Sequence, residues 1–242
     1  MFKGICLIAL LSLTTQLFAK SFYAGDTGTK RLIKVNKSGE IIWELNKIKP
    51  GDFSILDNGN ILFCHSDRKK SYVREITPDK NVVWEYHEKA ELRSCQRLED
   101  GNTLIGQTTE GLLRIVDPKG KLIKTIKIQS DSKKPHSRLR IVRKGKDNLY
   151  YVAQHSEGVV RAYNDKGDVI RELVHLKNIV AKADKVKKHV CYSVTPLDDG
   201  QVLTAGLSEI KLFDSKDNLV WSLKDSDIPE MNIYSFTGTH VL

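Results

Sequence analysis

The sequence lacks the patterns on which several common activities are built. Its four cysteines, Cys6, Cys64, Cys95 and Cys191, follow no zinc-ligand spacing. No Gly-x-Ser-x-Gly elbow presents a nucleophilic serine, and no glycine-rich loop is placed to cradle phosphates. Beyond residue 19 no apolar run is long enough to cross a bilayer, so no transmembrane anchor is expected. Helical periodicity longer than a loop turn is missing as well. Disorder is excluded by a 40% apolar content that includes 7% aromatics, enough to build a core.

What is present begins with an export signal. Lys3 supplies a positive end, Ile5 to Leu13 is an almost unbroken apolar run, and Ala19 offers a small residue before Lys20. Residues 1–19 therefore read as a cleaved signal peptide, and 20–242 as the mature domain, secreted or periplasmic. Cys6 leaves with the signal, so the mature chain keeps an odd number of cysteines. That allows at most one internal disulfide in an oxidising compartment, and buried thiols are the plainer expectation. The formal charge of +9 is spread along the chain rather than gathered in one block. This pattern fits a soluble basic domain better than a nucleic-acid binder.

The informative feature is a repeat. One phrase joins two apolar runs through a tight acidic or Asn-Gly turn: FSILDNGNILF at 53–63, CQRLEDGNTLIG at 95–106 and SVTPLDDGQVLTAG at 193–206. A degraded copy, RIVRKGKDNLYYVA, lies at 140–153. Asn-Gly and Asp-Gly between β-rich runs are strong hairpin signals. A second hairpin phrase alternates with the first, as in LIKVNKSGEIIWEL at 32–45 and VREITPDKNVVWEY at 73–86. Its frame puts Trp43, Trp84, Lys124, Arg171 and Trp221 in one column, a position suited to packing between neighbouring units. Two hairpins per period of roughly 40 to 50 residues make one four-stranded blade, with strands A to D from the hub outward. The fold class expected is all-β: a β-propeller of four-stranded antiparallel blades. The mature chain starts on a strand B, at Phe22, and residues 233–242 read as a strand A. Either these two ends complete one blade of a five-bladed ring, or the chain is a fragment of a larger ring.

These phrases resemble the PQQ-like repeat propellers, whose outer hairpins also read D-x-x-G-x-x-x-W, and the arylsulfotransferase propellers are similar in style. The resemblance covers residues 21–242 and implies a fold more than a chemistry. Its relatives range from quinone-dependent dehydrogenases to a non-catalytic assembly lipoprotein. The vicinal cysteine pair of the quinone enzymes is missing here, and no cofactor is expected.

In such a ring the B–C and D–A connections share the face around the channel mouth. The candidate site residues lie there: His65, Gln107, Gln154 and His155 after B strands, and Arg93, His136, Arg138 and His189 at D–A entries. Converging His, Arg and Gln on a concave mouth suit a ligand site. His65, His155 and His189 have no ligand spacing in sequence, so no metal site is expected. Basic residues also gather on these connections, including Arg68, Lys69, Lys70, Lys133 and Lys134, whereas the opposite face carries acidic turns. The expected function is a non-enzymatic exported binding protein whose mouth takes a small-molecule, glycan or protein ligand, with an anionic one favoured by the charge. The alternative is a transferase, lyase or hydrolase acting on an anionic carbohydrate or sulfate ester through rim His and Arg residues.

Overall fold

A computed structural model describes residues 21–67, 70–174 and 191–228. It contains five antiparallel sheets in chain order. The first has three strands, β1 (Phe22–Asp26), β2 (Arg31–Val35) and β3 (Ile41–Asn46). The second is β4 (Pro50–Ile55), β5 (Ile61–Ser66), β6 (Ser71–Ile76) and β7 (Val82–Glu88). The third is β8 (Leu92–Arg97), β9 (Thr103–Gln107), β10 (Leu112–Val116) and β11 (Leu122–Lys127). The fourth is β12 (Val142–Lys144), β13 (Tyr150–Gln154), β14 (Val159–Tyr163) and β15 (Val169–Val174). The fifth is β16 (Cys191–Pro196), β17 (Val202–Gly206), β18 (Glu209–Phe213) and β19 (Leu219–Lys224). Helix among the described residues is confined to two three-residue 3-10 turns, Pro135–Ser137 and Asp225–Asp227. The chain is a β-propeller of five blades, and each sheet is a meander whose inner strand touches the inner strand of the next: β4 on β8, β8 on β12, β12 on β16.

The hairpin turns explain the recurrent phrases. Each A–B and C–D turn needs one residue in the left-handed region. Gly59, Gly101 and Gly200 supply it in three A–B turns with φ of 81° to 82°. In the degraded fourth copy Asn148 takes the same place at φ 64°, one of the few side chains that tolerate it. Asp214 opens the last C–D turn by accepting the backbone N–H groups of Lys216 and Asn218. Hydrogen bonds from Asn218 hold its carboxyl below the usual range. The acidic turns are thus accounted for by their own backbone.

Four apolar clusters fill the seams between blades. Leu32, Phe63 and Tyr72 join the first two blades, and Leu62, Cys64, Cys95 and Ile105 the second and third. Leu104, Ile115, Val152 and Tyr163 join the third and fourth, and Tyr151, Val160, Val194 and Phe213 the fourth and fifth. Alternate strand residues feed opposite seams, so every blade needs a neighbour on each side. The outer-strand column ties blades as packing residues do. Trp43 Nε1 donates to the Pro78 carbonyl of the next blade at 2.7 Å, Lys124 pairs with Asp165 at 2.6 Å, and Arg171 with Asp217. Trp221, on the last described blade, is 48% exposed. The expected strand at 233–242 lies outside the described residues, as do Arg68, Lys69 and the lysines between 182 and 188.

Candidate ligand site at the channel mouth

The residues expected at the mouth divide into two groups. His65, Gln107 and Gln154 hold equivalent places at the ends of β5, β9 and β13, and all three are buried. Gln107 donates its amide to Glu88 at 3.2 Å and Glu110 at 3.3 Å, and its oxygen accepts the Glu110 N–H at 2.8 Å. Gln154 donates to the Gln129 carbonyl at 2.6 Å, and its oxygen accepts from Arg161 and the Tyr163 hydroxyl, each at 3.0 Å. His65 Nδ1 accepts the Lys49 N–H at 2.8 Å, Nε2 faces Asp67 at 3.4 Å, and the ring stacks on Tyr72 at 4.7 Å. These three hold connecting segments in place. Arg138 does the same, donating to the carbonyls of Thr109 and Ser132. His136 is exposed on the first 3-10 turn. His189 lies outside the described residues.

A different set of positions stands out at the start of the inner strands. Inner strands β4, β8 and β16 each carry a bulge at the mouth end, where the ladder skips Gly51, Arg93 and Tyr192. In the fourth blade Arg140 donates its N–H to the Ala153 carbonyl while Ala153 donates to the Ile141 carbonyl, so Arg140 and Ile141 share one partner. A bulge twists the strand and re-aims the extra residue, and bulges recur at rims and sites. Gly51, Arg93, Arg140 and Tyr192 therefore form one column around the mouth. Each stands eight residues before the left-handed residue of its A–B turn: Gly59, Gly101, Asn148 and Gly200. Gly51 has no room for a side chain, because an added Cβ would lie 3.0 Å from Cys64 Sγ and 3.2 Å from the Arg93 carbonyl oxygen.

The two arginines of this column have unused donors. Arg93 pairs with Glu91, yet its Nε is buried without a partner. Arg140 is half-buried, and among the described residues its guanidinium meets no carboxylate or carbonyl. Burial, then the Arg93 charge, lower its pKa from the ordinary arginine value, with Tyr192 and Glu91 acting the other way. Beside them the Tyr192 ring meets the His155 ring edge-on at 5.0 Å. Of the residues expected at the mouth, His155 lies against Tyr192, and Arg93 lies near enough to Arg140 for its charge to act there.

Next to the bulges a polar tie joins three inner strands. Arg143 of β12 clasps Asp52 of β4 with both nitrogens, at 2.7 and 2.9 Å, across the intervening blade. Ser94 of β8 donates to the same carboxylate at 2.8 Å, and the Cys95 N–H at 3.0 Å. Burial opposes the Arg143 charge, but Asp52's attraction and hydrogen bonds together outweigh it and hold the pKa above its usual value. Three inner strands are fixed at one point, which sets the spacing of Arg93 and Arg140 above it. No cluster of three or more metal-ligating side chains occurs among the described residues, and none of their helices is long and apolar enough to cross a membrane.

No protein-family model matches the sequence, and no curated protein sequence matches it either. Solved structures resemble it in fold. A Bacteroides caccae protein of unknown function aligns with a TM-score of 0.70 and 21% identity, over 85% of this chain and 73% of that one. A streptogramin B lyase aligns at 0.61 and 12%, over 85% of this chain and 65% of the lyase, so this chain spans less than two thirds of that enzyme. The WD40 β-propeller domain of Doa1 aligns at 0.62 and 13%, over 92% and 68%. At these identities the likeness identifies the fold alone, and the chain takes its place among β-propellers.

Proposed function

We propose that the chain is an exported propeller that binds an anionic ligand at its channel mouth, with Arg140 and Arg93 as the direct contacts. The observation that carries this reading is Arg140, a half-buried guanidinium with no acidic partner among the described residues, set beside a second arginine. Holding two like charges together has a cost in electrostatic energy that a bound carboxylate, sulfate or phosphate removes. Guanidinium groups grip such anions through two parallel hydrogen bonds. Export rests on the N-terminal signal, and N-terminal sequencing of the secreted protein is expected to start at Lys20. Retention on heparin and on a phosphate resin tests the binding. Arg93→Ala with Arg140→Ala is expected to elute at distinctly lower salt than wild type. Arg138→Ala, which removes only a loop tie, is expected to elute with wild type. Equal elution of all three proteins overturns the proposal.

A second reading, a lyase or hydrolase on an anionic carbohydrate or sulfate ester, draws support from His155, which reaches the Tyr192 ring next to Arg140. There an imidazole supplies acid–base chemistry and a guanidinium stabilises developing negative charge. The streptogramin B lyase is similar in fold, which is compatible with this reading. Turnover of a panel of aryl sulfates and anionic oligosaccharides, lost in His155→Ala while resin retention persists, is the result expected of an enzyme.

A further inference from the structure

We propose that Cys64 and Cys95 form a disulfide that staples the second blade to the third. The two residues lie on different blades, β5 and β8, yet converge on one residue of β4, Asp52. Cys64 is the direct ladder partner of Asp52, and its Sγ lies 3.0 Å from where a Cβ on Gly51 would stand. Cys95 donates its N–H to the Asp52 carboxylate at 3.0 Å and its thiol to the Asp52 carbonyl at 3.9 Å. Both belong to one apolar cluster, with exposures of 0% and 1%. Cys191 belongs to the cluster between the fourth and fifth blades, which leaves Cys64 and Cys95 as the one pair within a shared seam. Both are thiols in this structure.

The timing of the reaction follows from burial. Burial first, and the adjoining Cys64 thiol second, push the Cys95 thiol well above its ordinary pKa, so in the closed seam it carries no reactive thiolate. Oxidation belongs to folding, as the two blades meet and before the seam closes over the pair. One cysteine thiolate attacks a disulfide-bearing oxidant of the glutathione or oxidoreductase class and displaces one of its thiolates. The second cysteine thiolate then attacks the cysteine sulfur of the mixed disulfide and expels the other. The pair loses two protons and two electrons, and the oxidant leaves as two thiols. The staple closes beneath Gly51 and Arg93, so it also fixes the part of the seam that carries the mouth.

The test is refolding of the mature chain in a mixture of oxidised and reduced glutathione, followed by denaturation, alkylation without reductant and tryptic mapping. The expected product is the Cys64 peptide joined to the Cys95 peptide, two hydrogens lighter than the separate pair, with Cys191 alkylated. The thermal midpoint is expected to fall by roughly 5–15 °C on reduction, given the loop that the bond closes. Cys64→Ala and Cys95→Ala should each abolish that shift, and Cys191→Ala should leave it intact. Circular dichroism of the reduced protein confirms that the comparison is made between folded states. Three alkylated cysteines after oxidative refolding, or a bridge that includes Cys191, overturns the proposal.

Discussion

The ends of the B strands and the bulges of the A strands carry similar side chains with opposite fates. Gln107 and Gln154 end regular ladders, so their amides point into a seam where neighbouring groups must satisfy them. Arg93 and Arg140 sit where the strand has an extra residue: the ladder skips Arg93, and Arg140 shares Ala153 with Ile141. The backbone, more than the polarity of the side chain, decides which groups are left to meet a ligand. A second contrast lies within the inner strands. Asp52 stands one residue beyond Gly51, yet it is buried and bonded to three other residues. The boundary between scaffold and mouth falls between adjacent residues.

The largest effect is expected at that boundary. Asp52→Ala removes the carboxylate that holds Arg143, leaving a largely buried guanidinium and the Ser94 hydroxyl without it. Stranding one member of a buried pair costs about 3–5 kcal/mol, here toward the lower figure because the Arg143 side chain is 24% exposed. A fall of the urea midpoint with an unchanged slope measures it. A change below about 1 kcal/mol would place Asp52 with the loosely held mouth residues and erase the boundary.

A paired experiment sharpens the main contrast. Gln154→Ala strips partners from Arg161, Tyr163 and the Gln129 carbonyl, and is expected to cost roughly 1–3 kcal/mol while leaving resin retention unchanged. Arg140→Ala is expected to leave stability within about 0.5 kcal/mol, since among the described residues its guanidinium has no hydrogen-bond partner to strand, while retention falls. Urea unfolding and salt elution of both variants decide the matter. Two variants that lose both properties together would show that the two positions do not differ in kind.

Much of this arrangement was legible in the repeat phrases. Hairpins at Asn-Gly and Asp-Gly, the outer Trp column and the B-first phase at Phe22 are local signals, and the structure follows each of them. Which polar residues face the mouth was harder to read. Polarity at strand ends points to Gln107 and Gln154, and gives no sign of Arg140 and Tyr192. The missing signal was register: counting eight residues back from each left-handed turn residue aligns Gly51, Arg93, Arg140 and Tyr192. In the fourth blade that count must start from Asn148, since the glycine of that turn, Gly145, stands three residues before the left-handed position, and there the repeat is hardest to see. The Asp52–Arg143 tie joins residues 91 apart in blades that are not sequence neighbours, and no local pattern encodes it.

The smallest expected effect concerns His65, whose counterparts in the next two blades are Gln107 and Gln154. Its Nδ1 accepts the Lys49 N–H, so the neutral ring carries its proton on Nε2, toward Asp67. A proton on Nδ1 would break that bond. Burial is the main force lowering the imidazole pKa, with Lys70 and Arg74 adding repulsion and Asp67 opposing them. The folded value therefore lies below the unfolded one of about 6.5. Between the two, the unfolded chain binds the proton and the folded chain does not, so stability rises with pH. The contribution of neutral His65 is full above pH 6.5 and is lost as the pH falls through its lowered folded value. His65→Gln introduces the residue type of the next two blades, with no group to titrate in this range. Thermal midpoints of both proteins, taken from pH 7.5 to pH 5, share the background from all other groups, so their difference isolates His65. That difference is expected to move in favour of the variant as the pH falls, by a few degrees at most. Parallel curves would mean that His65 tolerates protonation in place, and that the mouth end of the second blade is not built like those of the third and fourth.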